Sequence, residues 1–148
     1  MCQLLYLQKM EINLKISGLL LIILALLHIG FPKYFDWKTE LKSLTLLTRQ
    51  VMYVHTFFIA LVVLLMGVLC FTSAAELIVS RLGNKILIGL GFFWFCRLLI
   101  QIFGYSSKLW MGKKLETSIH ILFLFLWTYL SVLYLYSGCL MYFIRNSF

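Results

Sequence analysis

The side chains in this sequence best suited to chemistry are three histidines, His28, His55 and His120, and one arginine, Arg97. Imidazole is a ligand for haem iron, copper, zinc and non-haem iron. A guanidinium is always cationic and recognises carboxylate or phosphate groups through its fork of N–H donors. Arg97 lies in "GFFWFCRLLIQIFGY", residues 91–105, where almost everything else is apolar or aromatic. Three site chemistries fit this set. Two facing histidines with Arg97 on the propionates suit haem b. Three histidines, completed by Glu116, Glu40 or Asp36, suit a transition metal. A quinone headgroup could accept hydrogen bonds from a histidine and Arg97, with Trp94 and Trp127 as its walls. In each case Gln101, one turn after Arg97, would orient the arginine or the ligand.

The spacing does not choose between them. Neither H-x-x-x-H nor E-x-x-H occurs, and each histidine comes from a different segment. Glu116 and His120 stand four apart, which is one unspecific helical pair. A reading without any ligand stands beside the three. In it the histidines bond water or carbonyls, the aromatic residues pack, and Arg97 serves helix packing or a partner chain.

The setting is set by composition. The chain has 148 residues, 63% hydrophobic and 12% charged, whereas a soluble domain carries about 25% charged residues. Four apolar segments, 12–31, 50–72, 85–104 and 118–143, each meet the roughly 20 residues needed to cross a hydrocarbon core of about 30 Å. Lipid obliges such segments to be helical, because backbone polar groups have no other partner there. The expected fold is therefore all-α: a single integral membrane domain of four transmembrane helices in an up-down bundle. Residues 33–48 read as a short interfacial amphipathic helix with Leu41, Leu44 and Leu47 at helical spacing. Pro32 is expected to stop the first helix. "LGNK", residues 82–85, reads as a helix stop, and residues 4–9 as a disordered or interfacial leader with Met10 as an alternative start to Met1. A cleavable signal peptide is disfavoured, because "FPKYFDWK" offers no small-x-small site after the first segment.

Charge narrows the partners. The net charge is +8, but no basic run exceeds Lys113-Lys114, so nucleic acid is not the expected partner and anionic lipid headgroups are. A homo-oligomer or a larger membrane complex is compatible with both readings. Lys33, Lys38, Lys42, Arg49, Lys108, Lys113 and Lys114 fall on the side of the first and third joins. Lys9, Lys15, Arg81, Lys85 and Arg145 fall on the other side. The positive-inside rule then leans towards termini outside the cytoplasm, in a bacterial inner membrane. Cys2, Cys70, Cys96 and Cys139 are too scattered for a disulfide framework or a zinc knuckle.

Periodicity adds the faces. Trp94, Arg97, Gln101, Gly104 and Tyr105 share one stripe, and Thr117, His120, Trp127, Ser131, Tyr134 and Gly138 share another. Gly18, Leu21, Ala25 and His28 form a third, whereas His55 lies beside the small-residue line of its own segment. By alternation of the spans, all three histidines fall at one mouth. Phosphate-cradling loops, G-x-S-x-G and H-E-x-x-H are absent from the sequence.

Overall fold

A computed structural model describes residues 2–146, with side chains from 4 to 144. Met1 and the side chains of Cys2 and Arg145, which entered the readings above, lie outside that part. About nine-tenths of the chain is helical, and the described residues contain no strand. Four helices are long and apolar enough to cross a membrane: Leu4–His28, Leu46–Thr72, Arg81–Gly104 and Lys114–Ile144. In the second, only 17% of the most apolar stretch is buried inside the protein, so most of its Leu, Val and Phe side chains point outward. An outward apolar surface of that length suits lipid contact.

The helices in chain order are α1 (Cys2–His28), α2 (Phe31–Tyr34), α3 (Trp37–Glu40), α4 (Leu46–Thr72), α5 (Ala74–Val79), α6 (Arg81–Leu99) and α7 (Lys114–Asn146). They fall into two compact units. One comprises residues 12–74, and the other residues 1–11 with 75–148.

In the first unit, α1 and α4 meet where both carry glycine. A Cβ on Gly67 would stand 2.8 Å from the Gly18 carbonyl oxygen, and one on Gly18 would stand 2.6 Å from the Phe71 nitrogen. Only hydrogen at these positions lets the two backbones approach so closely. The join departs from the sequence reading in two ways. First, α1 does end before Pro32, at His28, whose carbonyl the proline four residues on cannot meet with an N–H, but Pro32 also lies in the first turn of a new short helix, α2. Proline suits that position because the missing N–H is one that a helix start leaves unpaired anyway. Second, residues 33–48 are not one amphipathic helix. Asp36 takes a left-handed conformation (φ 42°), Leu41–Ser43 form a 3₁₀ turn, and Leu44 is extended (φ −84°, ψ 153°). Aspartate tolerates the left-handed region better than most residues, so Leu41, Leu44 and Leu47 share no helical face. Thr45 then caps α4, accepting from the Thr48 N–H at 3.3 Å.

The second unit is built on α6 and α7, which pack antiparallel. The facing sites are Gly138 against Ile88 and Asn84, Gly91 against Leu135, and Trp94 against Trp127. The segment containing "LGNK" starts a helix where a stop was expected. Ser80 is the N-cap of α6, its Oγ accepting from the Gly83 N–H at 2.8 Å. The buried Asn84 amide donates to the carbonyls of Ile78 (2.8 Å) and Leu77 (3.2 Å), closing the end of α5. Gly83 is there because any Cβ would stand 2.4 Å from the Leu77 carbonyl oxygen. Ser80→Ala is expected to lower stability by about 1 kcal/mol, the usual loss for a removed N-cap. Unfolding in mixed micelles measures it. Residues 4–9, read as a leader, are part of the continuous α1 helix.

Candidate functional site

At the far end of α6 the backbone widens into a π-helical turn over Ile100–Gly104. Such turns are uncommon and often mark functional positions, because they re-aim the side chains beyond them. Gln101 sits in this turn and is buried. Its amide oxygen accepts from Arg97 Nη1 at 3.2 Å and from Trp127 Nε1 at 3.3 Å. Its amide nitrogen meets His120 Nδ1 at 2.9 Å. One glutamine thus joins the C-terminal part of α6 to the N-terminal half of α7.

The hydrogen bonds fix one another. Arginine and the indole N–H can only donate, so the atom they share must be the amide oxygen. The other end is then an NH₂ donor, and His120 Nδ1 must accept from it. A neutral imidazole that accepts at Nδ1 carries its proton on Nε2. His120 therefore stands with one nitrogen occupied and the other protonated.

Aromatic rings close around this core. Trp127 stacks on Trp94 (centroids 4.9 Å apart, planes 10° apart) and on Phe123 (5.3 Å, 11°). The Arg97 guanidinium lies 5.1 Å from the Trp127 centroid and 5.7 Å from that of Tyr105, and Nη2 donates to Tyr105 Oη at 3.5 Å. These cation–π contacts suit a charge held away from bulk water. Trp110 arrives from the join between α6 and α7 and stacks on His120 (4.6 Å, 11°). Two anchors hold it there. Thr117 Oγ1 donates to the Trp110 carbonyl at 2.6 Å, and Gly112, at φ 82°, turns the chain back towards α7.

Arg97 is half-buried, and among the described residues no carboxylate pairs with it. Glu116, the acid nearest in sequence, is exposed. Trp94 Nε1 and Trp110 Nε1 are buried without a hydrogen-bond partner among the described residues. The cluster therefore holds more donors than acceptors.

The structure brings His120, Arg97 and Gln101 together in the second unit. His28 and His55 belong to the first unit. His28 Nδ1 donates to the Leu24 carbonyl in its own helix (2.8 Å), and its ring lies 4.6 Å from that of Phe31. His55 is exposed and makes no hydrogen bond among the described residues. Among those residues no three His, Cys, Asp or Glu side chains gather as metal ligands would. Trp94 and Trp127 do not stand apart as two walls of a quinone slot. A ring held between two others needs them roughly 7 Å apart, twice the contact distance of about 3.5 Å, and Trp94 and Trp127 are already in direct contact. Trp110 and Thr117 were not foreseen as partners, because nothing in "YSSKLWMGKKLET" reveals that the join folds onto His120.

Comparison with known proteins adds no relative: no family model, no curated protein and no solved structure matches the chain.

Proposed function

We propose that this protein is a four-span membrane subunit with a structural or accessory role. In this reading the cluster around Gln101 is a polar lock between two spans and not the seat of a haem or metal. The observation that carries it is the hydrogen-bond pattern of Gln101, which leaves His120 with a protonated Nε2 and an occupied Nδ1. A histidine that binds a metal through Nε2 donates its other N–H to an acceptor. Here that would require turning the Gln101 amide over, pointing its NH₂ at two groups that can only donate. Haem or metal ligation by His120 thus works against the lock. The four spans run up-down-up-down in a bacterial inner membrane, with termini outside the cytoplasm. That orientation rests on the seven bases of the first and third joins against five on the other side. An accessory role implies partner chains or further copies, with which the protein is expected to be isolated under mild extraction.

The test is optical and elemental. Detergent-purified protein from cells supplied with haem and metals is expected to show no Soret band, oxidised or reduced with dithionite. It is also expected to carry no stoichiometric iron, copper or zinc. A Soret band or one bound metal that disappears in His120→Ala would overturn the reading.

A further inference from the structure

We propose that the open end of the lock is a binding site for the phosphate group of an anionic lipid, with Arg97 as its anchor. This rests on the membrane reading above. Arg97 brings a full positive charge into a span, yet among the described residues its hydrogen-bond partners are the neutral Gln101 and Tyr105 alone. Those two bonds use two of the five guanidinium N–H groups. The rest remain for an acceptor, and the cation–π contacts with Trp127 and Tyr105 keep the fork in place before any ligand arrives. An uncompensated charge in hydrocarbon is costly, and membrane proteins normally pair it or carry it to the interface.

The geometry points to the interface. Arg97 lies seven residues before Gly104, about 10 Å from the end of its span at 1.5 Å per residue. Its hydrogen bond to Tyr105, eight residues on, shows the guanidinium directed towards that end. There the chain enters the join that carries Lys108, Lys113 and Lys114, all exposed. The join is folded against the cluster, because Trp110 lies on His120, which meets the glutamine that holds Arg97. Glu116 is the one acid between residues 97 and 120, against four bases. Phosphate suits such a site, since it offers several acceptor oxygens and binds arginine through paired N–H contacts. Lipid is its source here, because a span presents Arg97 to headgroups before it meets a dissolved ion.

The experiment uses the full chain, purified in mild detergent and mixed with equal amounts of phosphatidylglycerol and phosphatidylcholine. Native mass spectrometry then counts the lipid of each kind that stays bound. Wild type is expected to retain phosphatidylglycerol preferentially. Arg97→Gln is expected to lower that preference about five-fold or more, the factor for one base acting near a membrane surface. Lys113→Gln with Lys114→Gln, which touches no part of the lock, is expected to lower it as well. Where Arg97→Gln does not elute like wild type, Arg97→Lys takes its place. It keeps the charge but loses the fork, so it is expected to fall between wild type and Arg97→Gln. Equal retention of both lipids by wild type overturns the proposal. So does a preference that is unchanged by the arginine replacements and lost only with the lysines, which is surface attraction without a site. Inorganic phosphate bound in lipid-free micelles, with no preference between lipids, assigns the site to the free ion and overturns the lipid source. Failure of the membrane reading would show earlier, as a chain that stays soluble without detergent.

Discussion

Gln101→Leu is expected to destabilise the protein by roughly 2–5 kcal/mol, although it keeps the side-chain volume nearly constant. It removes the oxygen shared by Arg97 and Trp127 and the NH₂ that His120 accepts from. Hydrogen bonds between spans contribute about 0.6 kcal/mol on average and up to about 1.7 each. The upper range applies here, because one of the three involves a charge and the Trp127 N–H left behind is buried, with Arg97 and His120 partly so. A plain packing role predicts a much smaller loss. Equilibrium unfolding in mixed micelles distinguishes the two, and Gln101→Glu sharpens the comparison. The carboxylate keeps both acceptor contacts and adds a charge opposite Arg97, but it cannot donate to His120. Its loss should therefore be smaller than that of leucine. If leucine and wild type unfold together, Gln101 is not the centre of the lock.

The second large effect lies at the crossing of α6 and α7. A Cβ at Gly91 would stand 2.7 Å from the Leu135 backbone nitrogen, and one at Gly138 would stand 2.9 Å from that of Ile88. Backbone atoms cannot move aside as a side-chain end can, so alanine at either site must push the helices apart. Overpacking of this kind costs about 1–3 kcal/mol per site and occasionally more. The two sites share one helix pair, so the double replacement Gly91→Ala, Gly138→Ala is expected to exceed either single one and to loosen the lock. A rise in fluorescence quenching of Trp94 and Trp127 by a soluble quencher would report that opening. Gly89, in the interior of α6, is the internal control: a Cβ there meets nothing within 4 Å, so Gly89→Ala should cost nothing and, by replacing a helical glycine, stabilise by up to about 1 kcal/mol.

Much of this arrangement was legible because helical periodicity reports which face is inside. Trp127, Ser131, Tyr134 and Gly138, placed on one stripe by spacing, are all buried, as are Gly18, Leu21 and Ala25. The same stripes placed Arg97, Gln101 and Tyr105 side by side. What spacing cannot report is how two segments meet. The four long apolar helices follow from local sequence, whereas the turn of Trp110 onto His120 depends on Gly112 and Thr117 acting across a join. The π turn at Ile100–Gly104 has no periodic signature either. Where a residue type has two uses, the local reading found at most one. Pro32 follows the end of α1, as expected, but also starts a short helix, and Gly83 with Asn84 seals the beginning of α6 instead of ending a helix. The histidines show the limit most clearly. Alternation of the expected spans put all three at one mouth, which suggested a common ligand. Hydrogen bonding gives His120 a partner in Gln101 and leaves His28 bonded to its own helix.

The most direct test of the lock is the nitrogen spectrum of ¹⁵N-histidine-labelled protein in detergent, with His120 assigned by its loss in His120→Ala. The account predicts that Nε2 of His120 carries the proton and that Nδ1 is an unprotonated acceptor. It also predicts that Gln101→Leu shifts the Nδ1 signal. A His120 protonated at Nδ1, or one whose Nε2 signal is displaced by a bound metal, would contradict it.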